Sequence, residues 1–428
     1  MEHNDSDFII SENRIDIIIG VEYVKAYIGK LKTNFFEKLY ISNKRSFNGL
    51  REKDWNHGWE NSKQKRGKIA FIKSFNRLID SIKESGTNSE PIPLYLGDKN
   101  ELWISDGMHR AATCYGLGLP VNVEMHNEPI EEHSRWYYPT DIEFFRKGHR
   151  GSGMRDVYCN FTMEMFFRKY VKDFRCVVFW PTTSEQKIPK EVEKLYRDDL
   201  MYEHTINLDD LKKDKIFEKN ITRLLYENHG YFNERLFNQK VNSCFSGGNK
   251  IKILFLKDKN EDEITTIKCA IRECFGANMY GYNNYNALHA TDTLSEAKYR
   301  VLQLLNNNTL NFLGKVSIKS DYKRSFHKKF NKFRKFCDEN KIDKTKICIV
   351  GKFIESIHTK SDCEQIEIIA DKTIIDRFSG SPYNVYTNEL KSDSGKIYTK
   401  DDIIYNPNNH FYYFDYKCCL PELNGVSK

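Results

Sequence analysis

The chain has 428 residues, so at ~150 residues per domain two or three domains are expected. With 39% hydrophobic and 14% aromatic residues it can build packed cores, and 67 basic against 60 acidic side chains give a net charge of +7, which permits an anionic partner without demanding one. No run of about 18 apolar residues occurs, so no membrane span is expected. The opening Met1-Glu2-His3-Asn4-Asp5 is acidic and polar, unlike a signal peptide. The 11 cysteines are scattered without a Cys-x-x-Cys pair, which signals neither a structural zinc site nor a redox motif. Reduced, mostly buried thiols in a cytoplasm are expected.

Ile15 to Gly20 is an apolar run and reads as a first strand. Lys44 to Arg66 is polar and reads as a loop. Ile69, Ile72, Phe75, Leu78, Ile79 and Ile82 recur at helical spacing, which predicts a helix over Lys68–Glu84 stopped by Gly86. Pro91–Gly97 and Leu102–Ser105 read as a hairpin around Gly97–Asn100. Asp106 follows at an expected N-cap position, then Gly107 and a helix from Met108 to about Tyr115, then a strand from Val121.

That turn is the sharpest chemical signal in the chain. Gly107 lets a ligand approach the backbone. His109 and Arg110 stand in the first helical turn, where amide groups and the helix dipole favour an anion. Two readings follow: a capped helix with solvated polar residues, or a polyphosphate site with its metal.

Glu128–Gly153 carries Trp136, Tyr137, Tyr138, Phe144, Phe145, His149 and Arg150 and reads as an aromatic linker or a loop over a site. Phe174–Pro181 reads as a buried strand, Lys187–Gly230 as charged and mostly helical, and Ser246–Asn249 as a linker. Ile251–Leu256 is a strand and Glu261–Phe275 a helix. In the Asn286–Thr293 segment, Thr291 or Thr293 caps a helix to about Leu305, with His289 and Asp292 either structural or functional. Tyr322–Glu339 is a helix with Phe326, Phe330, Phe333 and Cys337 on one face. Its opposite face is basic, either solvated or suited to phosphate. Lys346–Val350 is a strand ending at Gly351, and Gln365–Ile369 alternates as another.

The segment from about Pro91 to Met125 resembles the ParB/sulfiredoxin-like superfamily. The matching features are an apolar strand, then Asp106-Gly107-Met108-His109-Arg110 opening a helix, then a Gly-x-Pro turn into Val121–Met125. The resemblance covers roughly residues 15–127 as a fold and is specific over about 20 residues, in a form closest to kinases of small hydroxyl metabolites. It implies Asp106 as a metal- or base-type carboxylate, with Gly107, Met108 and His109 facing phosphate and Arg110 clamping it. Glu22 and Glu37 are candidates for a second acidic residue. From about Phe326 to Lys372 the chain resembles the start of a polymerase-β-like nucleotidyltransferase. Gly351-Lys352 stands where that family has Gly-Ser, and Gln365-Ile366-Glu367 where it has a carboxylate pair. Loss of one carboxylate should cripple two-metal chemistry, so this domain is expected to be degenerate. The layout resembles multidomain proteins associated with microbial surface-polysaccharide synthesis.

The resulting expectation is an α/β (α+β) multidomain protein. Residues 1–127 form a ParB/sulfiredoxin-like nucleotide-binding domain, 128–245 a mixed middle region, and 246–428 a nucleotidyltransferase-like domain. The expected activity is a cytoplasmic phosphotransferase using ATP or ADP with Mg²⁺ on a hydroxyl of a polar metabolite or sugar unit. Asp106 and His109 are its catalytic candidates, Asp106 its metal ligand, and Gly107, Met108, His109 and Arg110 its nucleotide contacts. The alternatives are a nucleotide-gated nucleic-acid-binding protein, for which no helix-turn-helix pattern is found, and nucleotidyl transfer by the C-terminal domain. Sulfinic-acid reduction wants a cysteine within the motif, and the nearest, Cys114, lies more than a turn away.

Overall fold

A computed structural model describes residues 15–48, 67–96, 102–104, 106–126, 156–209, 211, 215–226, 234–257, 259–275, 286–318, 324–363, 365–386, 389–392 and 395–423. The expected Gly97–Asn100 turn, Ser105 and the aromatic stretch Glu128–Gly153 lie outside them, as does most of the expected Lys44–Arg66 loop. The chain divides into two compact units, Met1–Thr162 and Met163–Lys428. Both mix helices with sheets, and among the described residues no helix is long and apolar enough to cross a membrane.

Unit 1 contains α1 (Ile15–Ile28), α2 (Phe35–Asn48), α3 (Gly67–Ser85), β1 (Ile92–Leu96), β2 (Leu102–Ile104), α4 (Met108–Leu117) and β3 (Val123–His126). The run expected as a first strand is therefore helical. Ile15, Ile17, Ile18 and Ile19 are all buried, and Val21 and Val24 extend the apolar surface. A short apolar run buried on every side has no distinguishing period, and here length decides for a helix. On α3, Phe71 is buried beside Phe75, Ile79 and Ile82, whereas Ile69 is 73% exposed. Gly86 ends that helix at φ 79°, its N–H bonded to Ile82 O.

The sheet runs β2-β1-β3, with β2 antiparallel and β3 parallel to β1. α4 is the crossover between β2 and β3. It packs tightly on α1, because a Cβ on Gly20 would lie 2.9 Å from Ala112 Cβ and one on Gly116 would lie 2.8 Å from Val24 Cγ1. Ile17, Val21, Ile92, Leu94, Ile104, Ala111 and Ala112 form the core between these helices and the sheet. Each fully buried Ile or Leu there stabilises the fold by about 1.5–3 kcal/mol. Buried Asn88 fixes the strand entries: its amide nitrogen donates to Glu90 O (2.7 Å) and Asn122 O (2.8 Å), and its oxygen accepts from Asn122 N (2.8 Å).

The boundary between units falls inside α5 (Asp156–Lys169). Unit 2 continues with β4 (Phe174–Phe179), α6 (Lys190–Glu193), β5 (Leu200–Asn207), α7 (Ile216–Tyr226), α8 (Glu234–Cys244), β6 (Lys250–Lys257), α9 (Glu261–Cys274), β7 (Leu288–Ala290), α10 (Leu294–Glu296) and α11 (Asn307–Lys315). Its first sheet has the order β5-β6-β4-β7 with every pairing antiparallel. Strands on both sides of Ser246–Asn249 enter this one sheet. β5 departs from the expected helical reading of Lys187–Gly230. A register shift between Leu200 and Tyr202 breaks its alternation, so the period of a strand is not visible there.

The second part of unit 2 comprises α12 (Arg324–Glu339), β8 (Ile347–Val350), α13 (Lys352–Thr359), β9 (Glu367–Ala370), β10 (Asn384–Tyr386), a small hairpin of β11 (Leu390–Lys391) and β12 (Ile397–Tyr398), α14 (Lys400–Tyr405), β13 (His410–Tyr413) and β14 (Tyr416–Cys419). The main sheet runs β10-β9-β8-β14-β13. The aromatic face of α12 packs on it through Phe330, with Tyr413 at 5.2 Å and Tyr416 at 5.7 Å between ring centroids. α11 packs against the second sheet at β13: Thr309 Oγ1 accepts from Tyr412 N (2.9 Å), and Asn308 Nδ2 donates to Pro407 O (3.0 Å) and His410 O (3.2 Å).

Candidate functional site

The Asp106–Arg110 turn joins β2 to α4, as its sequence predicts, but the cap is different. Gly107 is the N-cap, at φ 90° and ψ 16°, and no side chain caps the helix. The Asp106 carboxylate turns instead toward Arg110 Nη2 (3.5 Å). A positive φ of this size favours glycine, and a Cβ there would also meet the Arg110 guanidinium and Ile92 Cγ1 at 3.1 Å. Gly107 is thus required twice, by its conformation and by the side chain folded beneath it.

Arg110 is the organiser. Its Nη1 donates to Glu90 O (3.1 Å) and Glu90 Oε2 (2.9 Å), which ties the entry of β1 to the start of α4. Its side chain is 14% exposed, while Glu90 and Asp106 are 82% and 67% exposed. Two solvent-facing carboxylates therefore flank one sheltered guanidinium at an uncapped helix start. Such exposed pairs stabilise the fold by only about 0.2–1 kcal/mol each, so a stronger anion can displace them.

The other expected residues separate by role. Met108 packs against the core between α4 and the sheet. The His109 imidazole meets Phe75, Phe71 and Tyr40 edge-on at centroid distances of 5.0, 5.6 and 6.1 Å. These two residues contribute to the turn through their backbone. Glu22 is buried on α1, and Glu37 lies in the first turn of α2, close enough to Tyr23 to raise its phenol pKa after burial has done so. The carboxylate that the fold brings to Arg110 is Glu90. No local pattern reveals it, since the fold rather than spacing places it beside Arg110. Cys114 is buried, and burial pushes its thiol pKa up.

The C-terminal candidate is a tight turn after β8. Gly351 sits at φ 71°, and a side chain there would collide with the Glu367 carboxylate. Glu367 Oε2 accepts from Lys352 N (3.2 Å) and Oε1 from Tyr386 OH (2.7 Å), while Gln365 Nε2 donates to Pro382 O (3.0 Å). The turn thus keeps its glycine and one carboxylate, which is already bonded on both oxygens. His289 and Asp292 meet through Glu296, whose oxygens bond His289 Nε2 (3.1 Å) and Asp292 N (2.9 Å). Burial lowers the pKa of His289 below 6.5. Burial alone would raise that of Glu296, but the His289 bond, the Asp292 amide and Arg300 hold it below the usual carboxylate range. Among the described residues no group of three or more His, Cys, Asp and Glu side chains is gathered to hold a metal ion. Comparison with protein-family models, with curated proteins and with solved structures returned no match to this chain.

Proposed function

We propose that unit 1 binds the phosphates of ATP or ADP at the start of α4 and transfers a phosphoryl group to a hydroxyl of a polar metabolite or sugar unit. The observation that carries this reading is the uncapped first turn at Gly107, flanked by Asp106, Arg110 and Glu90. Helix amides and a guanidinium beside them offset the charge of a phosphoryl group in transfer. The new bond joins the acceptor oxygen to phosphorus as the bond to the leaving phosphate breaks, and the hydroxyl proton passes to a carboxylate. Asp106 and Glu90 divide two tasks, holding the ion and taking the proton. Their chemistry fits Mg²⁺, which takes carboxylate and phosphate oxygens and keeps several waters; the ion supplies neutralisation of phosphate charge.

The test is ATP consumption across a panel of hydroxyl acceptors, with wild type, Asp106→Asn and Glu90→Gln. Both substituted side chains are solvent-facing, so folding should survive. Acceptor-dependent turnover in wild type, reduced at least a hundredfold in Asp106→Asn, is expected. Full turnover in Asp106→Asn, or none in wild type with any acceptor, contradicts the reading.

A further inference from the structure

Unit 2 contains a cleft of about 610 Å³ that borders Glu296 of the His289 cluster and α12 and is separate from the Gly351 turn. It lies at the start of β8, whereas the Gly351 turn follows the end of that strand. Its cationic wall is Arg168, Lys298, Arg300, Arg334, Lys344 and Lys417, and Tyr299 and Phe414 also line it. We infer that this cleft binds a nucleoside diphosphate group, carried by a free nucleotide or a nucleotide sugar, with the phosphates on its cations and the base against its rings.

The charges are unequally matched. Most of the acidic groups on the walls are bonded within the protein, although the buried Asp415 Oδ1 has no hydrogen-bond partner. Lys344 bonds both Asp415 (2.5 Å) and Asp338 (3.0 Å). Asp343 accepts from Thr345 N (3.0 Å), and Glu296 is held by His289 and the Asp292 amide. Among the described residues Lys298, Arg300 and Arg334 have no carboxylate within ion-pair distance. Arg168 is bonded to Glu164 through Nε (2.9 Å) and to Lys298 O through Nη1 (3.2 Å), yet its buried Nη2 has no hydrogen-bond partner. Burial lowers the pKa of Lys298 and the neighbouring Arg168 charge lowers it further, against the smaller opposing pull of Asp173. Two sheltered cations side by side form a site that a dianion would relieve.

The backbone of the cleft is irregular where these side chains leave it. Lys298, Tyr299 and Arg300 sit on a π-helical turn, Ala297–Val301, a form enriched at functional sites. Phe414 stands in the two-residue turn between β13 and β14 at φ 54°, a position that favours glycine. A bulky ring held there against conformational preference points to a use for the ring. The Arg334 guanidinium lies beside the Phe414 and Phe330 rings, at 5.7 and 5.9 Å from their centroids, so a flat cation and a flat ring stand together in the lining. The volume falls within the range of about 300–1,000 Å³ typical of small-molecule sites.

The experiment titrates the full chain with inorganic pyrophosphate, a panel of nucleoside diphosphates and their sugar conjugates, and reads the affinity together with hydrogen exchange of residues 294–305 and 410–417. At least one nucleoside diphosphate should bind and slow exchange in both segments. Arg334→Ala and the Lys298→Ala/Arg300→Ala double variant should weaken it at least tenfold. Phe414→Gly, which suits the turn and so keeps the fold, should weaken nucleotides several-fold but leave pyrophosphate unchanged. A sugar conjugate bound more tightly than its nucleotide identifies the conjugate as the occupant; the reverse order identifies the free nucleotide. The proposal fails if no compound slows exchange in these segments, or if the cation variants bind like wild type. It also fails if Phe414→Gly leaves every affinity unchanged, or if a short oligonucleotide binds more tightly than any mononucleotide. Protection confined to residues 106–117 would place all nucleotide binding in unit 1 and likewise overturn it.

Discussion

At the residue scale, Gly107 and Arg110 make the turn and His109 anchors it. Gly107→Ala forces a Cβ into a left-handed backbone and against Arg110, so unit 1 should lose about 1–3 kcal/mol in urea unfolding. A loss under a few tenths would mean that the turn relaxes easily and is not preorganised. His109→Phe keeps an aromatic ring against Phe75 and Phe71. If the imidazole only packs, ATP turnover in this variant should stay within about threefold of wild type; a loss of a hundredfold or more would assign the imidazole a chemical role. The glycine and the arginine are legible in the sequence because turn chemistry and helix-start electrostatics are local. Glu90 is not, because the fold brings it to Arg110 from 20 residues away in the chain. Asp106 shows the limit of local reading: its side chain has a choice between capping and pairing, and Arg110 wins.

At the element scale, the long amphipathic helices are legible and the short buried elements are not. α3, α9 and α12 follow their apolar spacing to within a few residues. α1 is misread because it is apolar on nearly every side, and β5 because a bulge and its charged residues hide its period. Neither α7 nor its partner shows in sequence what joins them. Buried Asn220 on α7 donates to Leu313 O and Val316 O, each at 2.6 Å, and accepts from Ile318 N at 3.0 Å. Asn220→Ala removes the partners of three main-chain groups at the end of α11. Unit 2 should lose about 2–4 kcal/mol, measured as a shift in denaturation midpoint. A change under about 1 kcal/mol would mean that water replaces the amide.

At the scale of the whole molecule, the chain forms two units, and in unit 2 α11 links β13 to α7. The core of unit 2 holds histidines in the neutral state. Burial lowers His289 and, further, His410, whose Nδ1 meets Ile403 O at 3.0 Å. Their unfolded pKa is 6.5. The unfolded chain therefore binds more protons below that pH. Stability is full above about 6.5 and is lost progressively as the pH falls from there through the depressed folded values. Glu296, also depressed, adds a loss in the same direction at lower pH. Unit 2 should be less stable at pH 5.5 than at pH 7.5 by about 1–3 kcal/mol, and the His289→Gln/His410→Gln pair should flatten that dependence. An unchanged slope in the double variant would place the titrating groups elsewhere.

The central claim is a phosphate site at the start of α4. Hydrogen exchange of the amides of residues 106–117, with and without ATP and Mg²⁺, tests it most directly, because a phosphate on these N–H groups slows their exchange whatever the acceptor is. Slowed exchange at Gly107 to Arg110 in wild type, absent in Arg110→Ala, is the expected result. Unchanged exchange across this turn at saturating ATP, with or without effects in unit 2, would contradict it.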